Sequence, residues 1–406
     1  MVTACYKPVV NGVTRMVSLY KSKLEEQGHQ VYIFTLGKPD PTGDDKNVIR
    51  SPGVPLGDTG YYFSLGYSER AKEQIRQMDV LHCHHLFMSV DMASRYANCP
   101  IVYTNHTRYD LYTGAYTPLP QAAADVLMRQ IWPELTDLCD VIIAPSESIR
   151  RVLLEFGVRR PIEQIPNGIE LQPFREPSLI YSRTELGFPA DSQLAVYVGR
   201  MAAEKDIDRL VRQFAKARMH APKLHLVLVG DGPQRPELVK LAEQLGCRPY
   251  VRFMGEVDNQ RVAELLAGAD FFVTASDSEV HPLTVIEALA AGLAVVAKDS
   301  VAMRELISHN HTGLLCSTDD GGLAAGMVAL AHDPARRALM GRAAQEESER
   351  YDIEHTVTET LDLYRRLLED GSGTRERRRR TAAERIRARW PQLSTIVDRL
   401  GALLRP

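Results

Sequence analysis

The sequence has no Cys-x-x-Cys pair. Its six cysteines, Cys5, Cys83, Cys99, Cys139, Cys247 and Cys316, stand far apart, mostly in or beside apolar runs. That pattern excludes a disulfide scaffold and predicts reduced, mainly buried thiols in a cytoplasmic protein. No uninterrupted apolar run is long enough to cross a bilayer, and no basic-then-apolar signal opens the chain. There is no charge excess either: 49 Lys and Arg against 52 Asp and Glu leave a formal net charge of −3, and nucleic acid is not an expected partner. No complete Gly-x-Gly-x-x-Gly follows a first strand, which disfavours an oxidoreductase.

What is present is an ordinary globular composition, 44% hydrophobic and 25% charged over 406 residues. That length exceeds one compact core and suits two domains of about 150–200 residues each. Short apolar runs alternate with longer amphipathic stretches, the rhythm of βα units and a parallel sheet. Strands are predicted at 31–36, 80–83, 101–104 and 141–144 in the first half. The second half repeats the pattern at 194–198, 225–229, 250–253, 271–274, 294–297 and 313–316. Helices fall between them, one capped by Ser146. Met1-Val2-Thr3-Ala4 reads as half a strand, broken by Lys7-Pro8. We therefore expect an upstream start or a trimmed chain, with a short edge strand as the alternative.

Ile165-Pro166-Asn167-Gly168-Ile169 reads as a strand end, a turn and a crossing, and the proline-rich stretch through Pro177 is not expected to be helical. The expected organisation is an N-terminal domain over 1–166, a C-terminal domain over 167–350, a helix returning to the first domain over 351–370, and a basic tail over 371–406. The tail opens with Gly371-Ser372-Gly373, carries Arg375, Arg377, Arg378, Arg379, Arg380, Arg385, Arg387 and Arg389, and ends in an apolar seam from Ile386 to Leu404 interrupted by Pro391. Such a segment over 375–404 suits an anionic membrane surface, or a dimer or packing helix.

The densest chemistry lies in 276–292. A strand ends near Thr274, a polar loop carries Glu279, Val280 and His281, and a helix opens near Pro282, followed by Leu283 and Thr284. Proline suits that first turn, and the free N–H groups there attract a pyrophosphate. Glu279 is placed to hold sugar hydroxyls, and Glu287 to grip a ribose diol. Spacing alone fits two solvated glutamates on a capped helix equally well. Gly199-Arg200 with Lys205 follows another predicted strand and offers two cations to a leaving diphosphate. Taken alone, these would read as a surface charge pair with Glu204. Gly230 and Gly232 allow close backbone approach, or form a plain turn.

These motifs, in this order, resemble family-4 glycosyltransferases of the GT-B architecture over about residues 2–368. Glu279 and Glu287 match the family's glutamate pair, and Asn11-Gly12-Val13 its glycine-containing loop near the donor phosphates. Gly28-His29-Gln30-Val31, Asn105-His106-Thr107, Pro166-Asn167-Gly168-Ile169 and Gly230-Asp231-Gly232-Pro233 match further segments. The resemblance implies an α/β fold of two Rossmann-like domains facing across a cleft. It implies a retaining transferase that takes a sugar from a nucleotide-sugar donor, with no other cofactor and no metal, the cations standing in its place. His106 would then position the transferred sugar, and no protein nucleophile is named. The stretch 103–109 resembles that of diacylglycerol glucosyltransferases, implying a lipid acceptor, with UDP-glucose as first donor and GDP-mannose as second. His84, Tyr109 and Tyr112 are the acceptor-side candidates. The cluster His82, Cys83, His84 and His85 has no second ligand group to complete a metal site. A soluble acceptor, and a nucleotide-sugar 2-epimerase, remain as alternatives. Val280, His281 and Ala294 depart from the family pattern; the first two leave sugar specificity open.

Overall fold

The computed structural model describes residues 1–56, 60–64, 66–108 and 121–370. They form two compact units: Met1–Asn167 with the chain from Thr356 onward, and Gly168–His355.

The first unit holds strands β1 (Ile33–Leu36), β2 (Val48–Ser51), β3 (Val54–Pro55), β4 (Tyr62–Phe63), β5 (Leu81–Cys83), β6 (Ile101–Thr104), β7 (Val141–Ala144) and β8 (Ile162–Gln164). β3 and β4 make a small antiparallel hairpin. β5 to β8 lie side by side in parallel, and β1 pairs with β2 in parallel. β1, β6 and β7 are buried at every position, as strands covered on both faces require.

Val2 joins the two groups. It bridges Phe34 of β1 on one side and Cys83 of β5 on the other. Its N–H donates to the His82 carbonyl at 2.8 Å, and its own carbonyl accepts from the His84 N–H at 2.9 Å. The edge-strand alternative is therefore corrected: Val2 is fully buried in mid-sheet, because both sides of its backbone are hydrogen-bonded. The following helix, Gly12–Glu26, starts from a reciprocal cap in which Asn11 Oδ1 accepts from the Thr14 N–H and Thr14 Oγ1 accepts from the Asn11 N–H. The last described helix, Ile353–Glu369, lays Leu363 against Val102, Val141, Ile143 and Ile165.

The second unit holds β9 (Gln193–Val198), β10 (Leu224–Val229), β11 (Val251–Gly255), β12 (Phe271–Thr274), β13 (Val295–Lys298) and β14 (Gly313–Cys316). They form one parallel sheet in the order β11-β10-β9-β12-β13-β14. Counted along the chain this is the 3-2-1-4-5-6 order of a doubly wound nucleotide-binding sheet. The core under it includes Phe214 and Met327, from the packed helices Ile207–His220 and Gly322–His332. One expectation fails here. Gln172–Arg175 makes a helical turn in the proline-rich stretch, with Pro173 at an early position where a missing N–H costs nothing.

Candidate functional site

In a sheet of 3-2-1-4-5-6 order, the strand ends on either side of the reversal splay apart, and ligands bind there. In the second unit the reversal lies between β9 and β12. The loop after β9 carries Gly199 to Asp206, and the loop after β12 carries Ala275 to Pro282. The two loops are tied together. Lys205 Nζ bonds Glu279 Oε1 at 2.8 Å, and Ser278 Oγ donates to the Glu204 carbonyl at 2.6 Å. Arg200 pairs with Glu204 through its guanidinium. Lys298, the last residue of β13, bonds the Asp277 carboxylate and lies 3.7 Å from Asp206 Oδ2. Asp206 holds a left-handed backbone (φ 51°) between the Ala203–Lys205 turn and the helix that follows.

A third loop, after β10, closes on the first. The Gly199 N–H donates to Val229, Met201 to Asp231, and Gln234 to Met201, at 2.8–3.0 Å. Both glycines of this loop are required. Gly230 has φ 121° and a Cβ there would stand 2.2 Å from the Gly199 carbonyl oxygen; at Gly232 (φ 156°) it would stand 2.4 Å from that of Met201. The helix Leu283–Ala290 then opens at the same strand ends. Pro282 is its cap in an extended conformation, one step ahead of the first turn, and no side chain caps that turn. Uncapped N–H groups, an exposed Arg200, a partly buried Lys205 and a tight glycine corner together offer hydrogen-bond donors and positive charge that suit an anion. The carboxylates of Glu204 and Glu279 pair with these cations.

The first unit has its own reversal, between Val2 and β5, with a different chemistry. The residues after β5 are His84 and His85, and His106 follows β6. His84 Nδ1 lies 3.0 Å from His106 Nε2, with their rings stacked at 5.3 Å between centroids. His82 stacks on His84 at 4.2 Å and is pinned by Tyr364 Oη on Nδ1 and Thr104 Oγ1 on Nε2, each at 2.6 Å. His85 Nδ1 accepts from the Ala4 N–H at 3.2 Å, which puts its proton on Nε2, facing Tyr61 Oη at 3.5 Å. Burial keeps all four imidazoles neutral. It pushes His82 and His84 well below their ordinary value, His85 down to about 4 and His106 down to about 3, with His85 adding to the last shift.

The comparisons with known proteins agree with this geometry. Residues 10–173 match the family described as Glycosyltransferase Family 4, and residues 181–347 that described as Glycosyl transferases group 1. An alpha-monoglucosyldiacylglycerol synthase of Streptococcus pneumoniae is 31% identical over 77% of this chain and 74% of its own length. The chain belongs to the family-4 glycosyltransferases. It is similar also to the alpha-monoglucosyldiacylglycerol synthase of Acholeplasma laidlawii, at 28% identity over 90% of this chain and 96% of the relative. Among solved structures, Anabaena Alr3699/HepE in complex with UDP and glucose covers 90% of this chain at TM-score 0.72 and 18% identity, sharing the GT-B fold.

In this glycosyltransferase the second unit brings Gly199, Arg200, Lys205, Gly230, Gly232, Glu279, Pro282 and Leu283 to one set of strand ends. Val280 and Thr284 are half-buried beside them. Two residues sit deeper than their expected roles imply. His281 is buried, its ring edge-on to Tyr351 at 5.3 Å and its pKa lowered to about 3 by burial, then by Arg350. Glu287 is fully buried inside the helix. Asn11, Gly12, His84 and His106 lie in the first unit. Asn11 caps a helix, and a Cβ at Gly12 would meet nothing within 4 Å. Tyr103 donates to Asn105 Oδ1 from the core. Tyr109, Tyr112 and the tail 371–406 lie outside the described residues. No helix among the described residues is long and apolar enough to cross a membrane.

Sequence reasoning missed Lys298, Asp277 and Ser278, and the Thr104 and Tyr364 supports of His82. It also passed over Asp206-Ile207-Asp208, which has an Asp-x-Asp spacing. Asp206 faces Arg209 at 3.0 Å and Lys298, while Asp208 is exposed, so the two carboxylates are not arranged as a pair of ligands.

Proposed function

We propose that this enzyme transfers a hexose, with retention of configuration and without a metal, from a nucleotide-sugar to a hydroxyl of a lipid acceptor. UDP-glucose is the first donor and GDP-mannose the second. The observation that carries the reading is the Lys205–Glu279 bond at the β9/β12 reversal, which joins the cationic loop to the loop that leads into the helix opening. A diphosphate entering there exchanges with Glu204 and Glu279 for Arg200 and Lys205, and accepts from the Leu283–Thr284 turn. As the bond from the anomeric carbon to the phosphate oxygen breaks, charge grows on the diphosphate, where these donors act most strongly. Glu279, released from Lys205, is free to accept from sugar hydroxyls. The acceptor oxygen bonds the anomeric carbon from the face the diphosphate leaves, and its proton passes to a departing phosphate oxygen. His106 positions the sugar.

The lipid acceptor is supported by the two relatives named alpha-monoglucosyldiacylglycerol synthase, and the basic segment 375–404 suits an anionic membrane surface. The test is a donor screen by released nucleotide diphosphate, then mass analysis of products over lipid and soluble acceptors. A glucosylated lipid formed from UDP-glucose is expected. Product on sugar phosphates alone sinks the lipid reading, and conversion of the UDP-sugar with no acceptor sinks transfer itself. Co-sedimentation with vesicles, unchanged by anionic lipid, removes the membrane part.

A further inference from the structure

His84 and His106 share one hydrogen between Nδ1 of the first and Nε2 of the second, 3.0 Å apart. Which nitrogen carries it depends on what the rest of His84 meets. His84 is 1% exposed, and its Nε2 is buried with no hydrogen-bond partner among the described residues. A buried N–H without an acceptor is a rarer and costlier defect than a buried lone pair without a donor. Burial also holds His84 to a single proton. That proton therefore sits on Nδ1 and points at His106 Nε2. His106 Nε2 is then the acceptor, and the one proton of its own neutral ring sits on Nδ1. That nitrogen bonds to nothing among the described residues, and His106 is only half-buried. The arrangement is held from behind. His82 stacks on His84 and is fixed at both nitrogens, and the Asn105 side chain spans the turn by donating to the Thr107 carbonyl at 3.2 Å.

We propose that His84 is a positioning residue that sets His106 as its Nδ1–H tautomer, so that His106 offers the substrate a hydrogen-bond donor and not a base. The group it meets is an oxygen with a free lone pair, such as a hydroxyl or ring oxygen of the transferred sugar. The opposite tautomer would present a lone pair suited to drawing a proton from the acceptor alcohol. The inference deepens the proposed function and rests on its reading of His106 as substrate-facing.

The test is nitrogen NMR on the full chain with ¹⁵N-labelled histidine, using His106→Gln and His84→Leu to assign the two rings. The expected spectrum has His106 protonated at Nδ1 and bare at Nε2, and a protonated His106 Nε2 overturns the proposal. Removing the donor by His84→Leu should release His106 to mixed tautomers and lower kcat about tenfold, the worth of one hydrogen bond, with donor KM within about twofold. His84→Asn, whose amide reaches the Nδ1 position, should recover most of the rate. A His106 tautomer untouched in His84→Leu also overturns the positioning role. If the tautomer is as inferred but His106→Ala transfers sugar at the full rate, His106 is out of reach of substrate. The proposed function then loses that residue, while the assignment by His84 stands.

Discussion

The two units reverse their strand order in the same way and furnish the reversal with opposite chemistry. In the second, Arg200, Lys205 and Lys298 meet Glu204, Glu279, Asp277 and Asp206. In the first, His82, His84 and His106 are packed ring on ring, His85 stands edge-on to Tyr61, and burial holds all four neutral. Ion pairs at a partly open surface can be exchanged for those of an incoming anion, because each cation loses little in trading one oxygen anion for another. Neutral stacked rings cannot capture a charge, but they hold hydrogen-bond directions fixed. On the proposed reading, one reversal receives a diphosphate and the other orients hydroxyls, and the topology alone reveals neither.

Acid should separate the two most sharply. A histidine whose folded pKa lies below its ordinary value of 6.5 contributes no penalty above pH 6.5. As pH falls below that, the unfolded chain gains protons the folded one refuses. Each such imidazole then removes about 1.4 kcal/mol per pH unit until its folded pKa is reached, about 4 for His85 and about 3 for His106. Four act together in the first unit against His281 and His225 in the second. Hydrogen exchange at pH 7 and pH 5 should show β5 and β6 losing protection well before β9 and β10. Loss in the second unit first would break the contrast.

Within the second unit, Arg200→Ala and Lys205→Ala should each lower turnover about 100-fold if each meets the leaving diphosphate, measured as nucleotide diphosphate released at saturating donor. Near-normal rates in both would return them to the role of surface partners of Glu204 and Glu279. Glu287→Ala should act on binding instead, weakening nucleotide affinity about tenfold in a titration. Because Glu287 is fully buried, its effect on stability must be measured beside it. Unchanged nucleotide affinity removes Glu287 from the donor site.

The parallel strands were legible because both faces are covered, leaving continuous apolar runs such as Val141–Ala144 and the 226–229 part of β10. β2 was not, since Val48–Ser51 is buried only at alternate positions and carries Arg50. The helix Pro334–Glu347 was missed because alanines and arginines alternate without an apolar stripe. Val2 was misplaced because one paired residue leaves no period to read. At the site, Arg200, Lys205 and Glu279 were found through motif resemblance. Lys298 was invisible. It stands one position past the predicted strand, and its partners Asp277 and Asp206 lie 21 and 92 positions away.

Lys298 provides the smallest and most discriminating test of the electrostatic half of the contrast. Its ammonium is 11% exposed and bridges Asp277 from the β12 loop and Asp206 from the β9 loop, with those carboxylates 49% and 28% exposed. Lys298→Met would take this cation from Asp277 and leave Asp206 paired with Arg209 alone. Both carboxylates reach water, so the cost in stability is modest, about 1 kcal/mol. The geometric cost is larger, because Asp206 follows Lys205 directly and Asp277 lies two residues before Glu279. Once the bridge is gone, the two loops are tied only by Lys205–Glu279 and by Ser278 on the Glu204 carbonyl. Donor KM should rise about tenfold while kcat falls less, the mark of lost binding more than of a lost transition-state contact. Lys298→Met combined with Asp277→Asn should recover part of that loss by removing the stranded charge, and Lys298→Arg most of it. If nucleotide affinity is unchanged in Lys298→Met, the two loops hold each other through Lys205–Glu279 and Ser278 alone, and Lys298 is a strand-end charge of no consequence to the donor.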